Sequence, residues 1–523
     1  MKKALDFKIW LLASMLALLA ACGGGGGGGS TAAPPPVPPA PTLVSIAVTP
    51  ANASVTLGAT RQMTATATYS DGKSSDITTS ATWSVAKGVS VVIGASSGVA
   101  TGKAAGADTV TATVGTVAGS TGLSVIVPWA SVEAGADHTL ALKVDGTLFA
   151  WGENARGQLG DSTTSPTVPR VTQVYVADGI DTWKMVAAGG LHSVALRSDG
   201  SLWTWGDNSV AQLGIGSAGG FRSSPVRIDT GNDWVYVAAG KAHSFAINKA
   251  GQLYAWGLNT RGQLGIGAAP VAAPLPVRVG TFTNWTMVLA GDNHSVGLRA
   301  DGTMYAWGDN AFGQVGNGDG GDDALCSLTT VVAPAVTTPT QIPRTWIAVA
   351  AGTNYTAAIR IDGTLWTWGL NNFGQLGIVG PSGTPLSCSA TPLPVDTSTN
   401  WAKIATSANA CATTAGDGDA CVSNGNATSA SHTLAIKTDG TLWAWGDNSF
   451  GQLGQGSSTA TTFFKPAQVG NARTWVSVAA GSAHSFGVQS DGTLWGWGAN
   501  NVGQQGNGSV NLNALVYAPT RVP

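Results

Sequence analysis

The chain has 523 residues, 43% of them hydrophobic and 10% charged, which is enough for more than one domain with its own core and suits tightly packed β-structure. Lys and Arg number 26 against 28 Asp and Glu, so the basic excess expected of a nucleic-acid binder is missing.

Residues 1–21 open Met1-Lys-Lys and continue in a mostly apolar run from Ile9 to Ala21. The run is shorter than the about 20 apolar residues of a membrane span and fits the hydrophobic part of an export signal. It ends Leu19-Ala20-Ala21-Cys22, which resembles a bacterial lipobox. The resemblance implies that Cys22 becomes the lipidated first residue of the mature chain, and Gly23 after it implies the outer membrane, on its periplasmic or exterior side. Contact with a membrane is expected through that lipid alone. Residues 22–42, with Gly23 to Gly29 and the proline-rich Ala33 to Pro41, cannot bury a core and read as a tether. Without 1–21 the chain keeps 23 basic and 27 acidic groups, a net charge of about −4.

Residues 43–127 are rich in Thr, Val and Ala. Alternation in Val44-Ser-Ile-Ala-Val48 and Gln62-Met-Thr-Ala-Thr-Ala-Thr-Tyr69, a turn at Ser70-Asp71-Gly72 and a single Trp83 predict a small β-sandwich. Tyr69-Ser-Asp-Gly72, Asp76-Ile-Thr78 and Ser97-Gly-Val-Ala-Thr-Gly102 are similar to bacterial immunoglobulin-like domains of group 2, which implies a spacer.

Across residues 128–523 one unit recurs. Its clearest copy runs Trp475-Val-Ser-Val-Ala-Ala-Gly481-Ser-Ala-His484-Ser-Phe-Gly-Val-Gln-Ser-Asp491-Gly492-Thr-Leu-Trp-Gly-Trp497-Gly498 and closes on Asn500 and Gly503-Gln-Gln-Gly506. Trp-Gly pairs mark seven copies, at Trp151, Trp205, Trp256, Trp307, Trp368, Trp445 and Trp497, spaced by roughly 50 residues except where loops are inserted. Apolar residues alternate with small or polar ones in three segments of each copy, which is the period of strands. Asp-Gly pairs at Asp145, Asp199, Asp301, Asp362, Asp439 and Asp491 join the second and third segments as hairpins, since both residues tolerate positive φ. A Pro-x-x-Val/Ile stretch, at Pro225 to Ile228 and Pro276 to Val279, supplies a fourth strand, where proline suits an edge.

Four strands repeated seven times predict an all-β fold, a seven-bladed β-propeller preceded by the small sandwich. Trp129 begins without a fourth strand before it and the chain finishes on Pro519-Thr-Arg-Val522, so the two ends are expected to complete one blade and leave no open edge. The motifs Ala-Gly-x-x-His-Ser and Trp-Gly-x-Asn-x-x-Gly-Gln-Leu-Gly resemble the repeats of the regulator of chromosome condensation, a resemblance that covers Trp129 to Pro523 and implies a seven-bladed propeller. Two copies depart from the pattern, with Tyr355 in place of histidine and Ala250-Gly251 in place of Asp-Gly.

All six histidines, His138, His192, His243, His294, His432 and His484, fall at one phase of the repeat. Equivalent side chains on neighbouring blades stand on the order of 10 Å apart while Zn–N bonds are about 2 Å, so the ring cannot converge on one metal. The residue before each histidine is Asp137, Leu191, Ala242, Asn293, Ser431 or Ala483, which gives no constant carboxylate to orient a catalytic base. Each imidazole is therefore expected to bond backbone at its turn and lock blade to blade, with the tryptophans filling the space between sheets. No Walker loop, nucleophile elbow or His-Glu-x-x-His occurs, so no catalytic residue, cofactor or metal is expected. Asn317-Gly-Asp319-Gly-Gly-Asp322-Asp323 offers oxygen ligands without the full calcium-loop pattern and reads as a solvated insertion.

Cys326, Cys388, Cys411 and Cys421 are an even set in a chain expected to be exported, and predict disulfides. Four cysteines allow three pairings; Cys411 and Cys421 bracket one loop, which favours Cys411 with Cys421 and Cys326 with Cys388 and leaves the other two open. These cysteines lie in three insertions, Asn317 to Arg344, Ile378 to Asn400 and Thr406 to Ala430. Strand alternation sends all three to one face, where loops on a rigid scaffold build binding sites. Asp322, Asp323, Tyr355, Asp417 and Asp419 are the candidate binding residues there.

The expected function is noncatalytic: a lipid-anchored propeller that presents a protein- or glycan-binding face outside the cytoplasm. The family resemblance implies, as an alternative, guanine-nucleotide exchange on a small GTPase, which export opposes. An extracytoplasmic lyase or hydrolase acting on a polymer would need a convergent acid and base.

Overall fold

The structure, a computed structural model, describes residues 38–176, 182–319, 335–380, 383–384, 386–407, 431–457, 462–509 and 515–523, with no side-chain description for 165–169 and 171. Among the described residues every named element is a β-strand, and the strands form nine sheets. Cys22, the export segment, Cys326, Cys411, Cys421, Asp322, Asp323, Asp417 and Asp419 lie outside the described residues.

The N-terminal unit contributes three sheets. Leu43–Thr49 and Ser74–Asp76 flank Thr64–Tyr69, all antiparallel. A second sheet runs Ala53–Thr56, Val117–Ile126, Gly106–Val114 and Thr82–Val85, its first pair parallel. The third is small: Thr60–Gln62, Val99–Gly102 and Val91–Ile93. Alternation sends Met63, Ala65 and Ala67 inward to meet Val110, Ala112, Leu123 and Trp83 in a core separate from the rest of the chain. Trp83 satisfies its indole by donating to the Thr78 carbonyl at 2.8 Å.

From Trp129 onward the chain builds four-stranded antiparallel units in sequence order. The first consists of Trp129–Ala134, His138–Lys143, Leu148–Asn154 and Ser165–Tyr175; the last of Trp475–Ala480, His484–Gln489, Leu494–Ala499 and Leu515–Arg521. The 16-residue strand Val336–Ala351 serves twice, as fourth strand beside Thr303–Gly308 and as first strand beside Tyr355–Arg360, which joins two units into one seven-stranded sheet. The first strands touch one another in cyclic order, and that of the last unit touches that of the first. The arrangement is propeller-like, with first strands innermost.

Three expectations are corrected. The two chain ends do not share a sheet, because the first and last units each take all four strands from contiguous chain. They meet side by side instead: Trp151 Nε1 donates to the Gln504 carbonyl at 2.8 Å and Ser482 Oγ to the Ala136 carbonyl at 2.6 Å. The second correction concerns the hairpins. Gly146 lies at φ 89° and its amide donates to the Lys143 carbonyl, while Asp145 keeps negative φ. The loop has three residues, a type I turn ending in a glycine bulge. Asp145 is held there because its carboxylate accepts from the backbone N–H and hydroxyl of Thr147, at 3.1 and 2.7 Å, a pattern repeated down to Asp491 and Thr493. Asn248 takes over this role beside Ala250-Gly251, accepting from the amides of Ala250 and Gln252.

Finally, two insertions are shorter than the repeat arithmetic suggested. Cys388–Pro394 pairs with Leu365–Leu370 as a fourth strand, and the start of Val336–Ala351 does so with Thr303–Gly308. Both carry the Pro-x-x-Val/Ile signature, as Pro339 to Ile342 and Pro392 to Val395, so the signal was present inside the presumed loops.

The units have two ends. The turns before the histidines and the loops after the third strands emerge on one side, here the loop face; the Asp-Gly turns emerge on the opposite turn face. The N-terminal unit joins at the turn face, where Trp129 N–H donates to the Gly492 carbonyl at 3.0 Å and Val144 N–H to the Pro128 carbonyl at 3.1 Å. A cleft of about 380 Å³ lined by Ile126, Trp129, Lys143, Asp491 and Arg521 lies at this seam.

Candidate functional site

Two cycles of hydrogen bonds run around the molecule, and together they account for the repeat residues. In the first, the indole Nε1 of each Trp-Gly tryptophan donates to the glutamine carbonyl of the preceding unit: Trp205 to Gln158, Trp256 to Gln212, Trp307 to Gln263, Trp368 to Gln314, Trp445 to Gln375, Trp497 to Gln452 and Trp151 to Gln504, at 2.8–3.0 Å. All seven indoles are fully buried. The glycine ending Gly-Gln-Leu-Gly admits them: a Cβ on Gly160 would stand 2.8 Å from Trp205 Nε1.

The second cycle is carried by the histidines. His138 Nε2 lies 3.2 Å from Ser193 Oγ, His192 2.8 Å from Ser244, His243 3.1 Å from Ser295, His294 2.9 Å from Thr356, His432 2.8 Å from Ser485 and His484 3.4 Å from Thr139. Each hydroxyl donates its proton to the glutamine carbonyl named above, as Ser193 does to Gln158 at 2.9 Å. The hydroxyl therefore accepts from the imidazole, which fixes the proton on Nε2. Histidine locks unit to unit as expected, but through a neighbour's hydroxyl rather than backbone. The glycine of Ala-Gly-x-x-His makes room, since a Cβ on Gly240 would meet His243 Cε1 at 2.3 Å. Burial pushes His138, His192, His243, His294 and His484 down to about 3, so they are neutral and committed to packing.

Tyr355, expected in a binding loop, is instead fully buried and fills the histidine's place. Its hydroxyl donates to the His432 carbonyl at 2.5 Å and lies 3.1 Å from Thr433 Oγ1, carrying the cycle across that junction. Cys388 is buried and disulfide-bonded. Asn317 and Asp319 form a turn against Asn310, the same arrangement that Asn507 and Ser509 make against Asn500, so this piece of the oxygen-rich stretch belongs to the repeat. Among the described residues no group of His, Cys, Asp and Glu is placed to hold a metal.

With these residues assigned to the scaffold, the loop face is where the units differ. In every unit the residue after Trp-Gly donates its amide to the carbonyl of the residue before the histidine or Tyr355, as Glu153 does to Asp137 and Asp207 to Leu191. Two side chains are thereby set next to each other. The pairs are Asp137 and Glu153, Leu191 and Asp207, Ala242 and Leu258, Asn293 and Asp309, Asn354 and Leu370, Ser431 and Asp447, and Ala483 and Ala499. The first unit sets two acids together.

The second, fourth and sixth units hold the acid after Trp-Gly with a glutamine clip. Gln212 Nε2 donates to Asp207 at 2.6 Å, Gln314 to Asp309 at 3.0 Å and Gln452 to Asp447 at 2.9 Å. In the first unit the clip is broken. Glu153 is 6% exposed with both carboxylate oxygens unpartnered, and Gln158, fully buried, has an unpartnered amide nitrogen among the described residues. One extra methylene carries the carboxylate past the amide that a shorter acid meets. Desolvation, then the nearby Asp137, pushes Glu153 up to about 8 against the opposing pull of Arg156. Desolvation likewise pushes Asp137 up to about 6 despite a hydrogen bond with Ser482.

The first unit has a third acid, Glu133, on its inner strand, where its charge acts on Tyr236 of the third unit. Glu133 occupies the inner-strand position held elsewhere by Ala187, Ala238, Leu289, Ala350, Ala405 and Ala479, and desolvation pushes it up to about 7. The repeat pattern presents Asp137 only as the neighbour of His138 and gives Glu133 and Glu153 no role. The signal was available, because only the first copy carries acids at all three positions.

A family model described as an RCC1-like domain matches residues 93–412 and 186–523. Ultraviolet-B receptor UVR8 of Arabidopsis thaliana is 28% identical over 387 residues, 73% of this chain and 80% of the relative. E3 ubiquitin-protein ligase HERC2 of Homo sapiens is 28% identical over 383 residues, 72% of this chain but 7% of its own length. Among solved structures, yeast RCC1 (Prp20) bound to Kap60 superimposes with a TM-score of 0.59 at 22% identity, covering 76% of this chain and 84% of that one. Human WBSCR16 gives 0.57 at 20% identity, covering 72% and 94%. These two establish the fold alone.

Proposed function

Because the chain belongs to the RCC1-like domain family, we propose that it is a noncatalytic binding protein whose loop face engages a protein or glycan outside the cytoplasm. The observation that carries this reading is the pair of hydrogen-bond cycles: the repeat histidines and tryptophans hold units together, which leaves a rigid scaffold with individuality only in its loops. Preordered loops lose less entropy on binding than mobile ones. Relatives lend the protein-binding half some support, since a yeast member has been crystallised with Kap60 and described for its binding to Gsp1p and histones; those partners belong to that protein.

In this reading the units are the seven blades of a closed propeller, and residues 43–127 are an immunoglobulin-like spacer. The chain is anchored through Cys22 at the outer membrane. Attachment of the N-terminal unit at the turn face supports such a layout, because the loop face is then the end opposite that junction. Asp322, Asp323, Asp417 and Asp419 lie in the insertions that would dress that face, stiffened by disulfides among Cys326, Cys388, Cys411 and Cys421.

The test is affinity capture on the immobilised full-length chain, compared with a variant in which residues 408–430 are replaced by a short Gly-Ser segment. Capture of a discrete partner by the first and not the second, with equal melting temperatures, is expected; equal capture by both would sink the proposed face. Palmitate labelling checks the anchor, and an unlabelled cytosolic protein would remove it.

A further inference from the structure

We propose that the first unit holds a receptor for a cationic side chain, an arginine or lysine of the bound partner, formed by Asp137 with Glu153 behind it. The inference rests on the binding reading above and specifies the partner's chemistry at one point.

An acidic pair alone would not carry this; the broken clip does. Three sibling units spend a buried glutamine amide on the acid after Trp-Gly. Here the same amide, on Gln158, and both oxygens of Glu153 are buried without partners. Leaving such a group unsatisfied costs about 1–3 kcal/mol; the two Glu153 oxygens are acceptors that the N–H donors of a cation can meet, while the Gln158 amide, itself a donor, marks the clip as broken. Asp137 is the half-buried member that opens to solvent, tied to Glu153 through the Glu153 N–H to Asp137 carbonyl bond of 2.9 Å.

The surroundings select a cation. The inner rim of the loop face, the two residues before each histidine or Tyr355 and the four after each Trp-Gly, carries Asp137, Glu153, Asp207, Asp292, Asp309 and Asp447 against Arg156, Lys241 and Arg261. Among the described residues the cation acting on Glu153 is Arg156, which leans to the neighbouring unit, with its Nε 3.9 Å from Asp207 Oδ1. The acidic excess of this rim would repel an anion, and a neutral sugar would bring no charge to the buried oxygens of Glu153.

Proton linkage gives the site a signature. The groups facing Glu153 are Asp137, which raises its proton affinity, and Arg156, which lowers it; Ser482 from the last unit bonds Asp137. With Glu153 pushed up to about 8, the free pair carries a proton near pH 7 that a bound cation displaces. Affinity then rises with pH between about 6 and 8, and binding releases a proton.

The experiment is calorimetric titration of the full chain with acetyl-Gly-Arg-Gly-amide, its lysine analogue and the uncharged citrulline analogue, in buffers of different ionisation enthalpy. Saturable binding of the two cationic peptides with proton release, little binding of citrulline, and a loss of more than about tenfold in Asp137→Asn are expected. Glu153→Gln should still bind but release much less proton, with Asp137 alone left to titrate in the pair. Equal binding of arginine and citrulline, no binding to millimolar concentration, or full affinity in Asp137→Asn would each overturn the proposal. Partner capture that survives Asp137→Asn unchanged would overturn this site while leaving the binding face standing; loss of the face itself is read separately from the 408–430 replacement.

Discussion

The first and second units share four-strand order, hairpins, histidine and tryptophan, and differ in how they treat one acid. In the second, Asp207 accepts from Gln212 and from the Ser209 hydroxyl, both at 2.6 Å. In the first, Glu153 and Gln158 stand at the same two positions and neither completes the bond. The lesson is about reach: a single methylene at a buried position separates a structural clip from a pair of unsatisfied groups. The rest of the scaffold tolerates this because its cohesion comes from the two cycles, which are intact at that junction.

The largest expected effect comes from breaking the part the two units share. Trp256→Ala removes a fully buried indole and its bond to Gln212, and should cost about 3–5 kcal/mol, measured by denaturant unfolding. A loss below about 1 kcal/mol would mean that the cycle is not what holds the units. Next, Asp207→Ala strands the Gln212 amide and should cost about 1–3 kcal/mol. Glu153→Ala should cost less, because there is no clip to lose; a larger loss at Glu153 would reverse the comparison. Smaller still, and opposite in sign, is Glu153→Asp. It shortens the acid to the length that meets the glutamine in three siblings, and should stabilise by about 1 kcal/mol while blunting the response to arginine peptides.

Much of this was legible in the sequence, and for identifiable reasons. Strand period, Trp-Gly spacing and histidine phase reported local geometry that every unit repeats, so the all-β repeat architecture and the structural role of the histidines could be read directly. What the sequence misplaced depended on contacts between units. Tyr355 looked like a surface departure because its residue type breaks the histidine pattern at an unchanged phase; in space its hydroxyl is long enough to stand in for imidazole and reach His432. The supposed shared blade failed because Ser165–Tyr175 has no Pro-x-x-Val signature although it is a fourth strand. Glu153 went unread because its meaning is relational: it is unusual only beside Gln158, and only once Gln212, Gln314 and Gln452 show what that amide does elsewhere.

The finest test of the comparison uses pH, because the two kinds of buried group act with opposite sign. The histidines are lowered to about 3 from an ordinary value near 6.5, so their contribution is complete above 6.5 and is lost as the pH falls through 3. Glu153 is raised from 4.5 to about 8. Its folded form holds the proton more tightly, so stability is complete below 4.5 and declines as the pH rises through 8. Glu153→Gln should leave the acid limb unchanged and make the alkaline limb shallower, with the mutant gaining on the parent between pH 5 and 8.5 in parallel unfolding series. The limb should not become flat, because Glu133, raised to about 7, and Asp137, raised to about 6, titrate in the same window. If parent and mutant profiles coincide, Glu153 is not desolvated in solution and the difference between the first unit and its siblings vanishes; if the acid limb moves instead, the histidine cycle and the acids of the first unit are coupled in a way the separate hydrogen-bond sets do not provide.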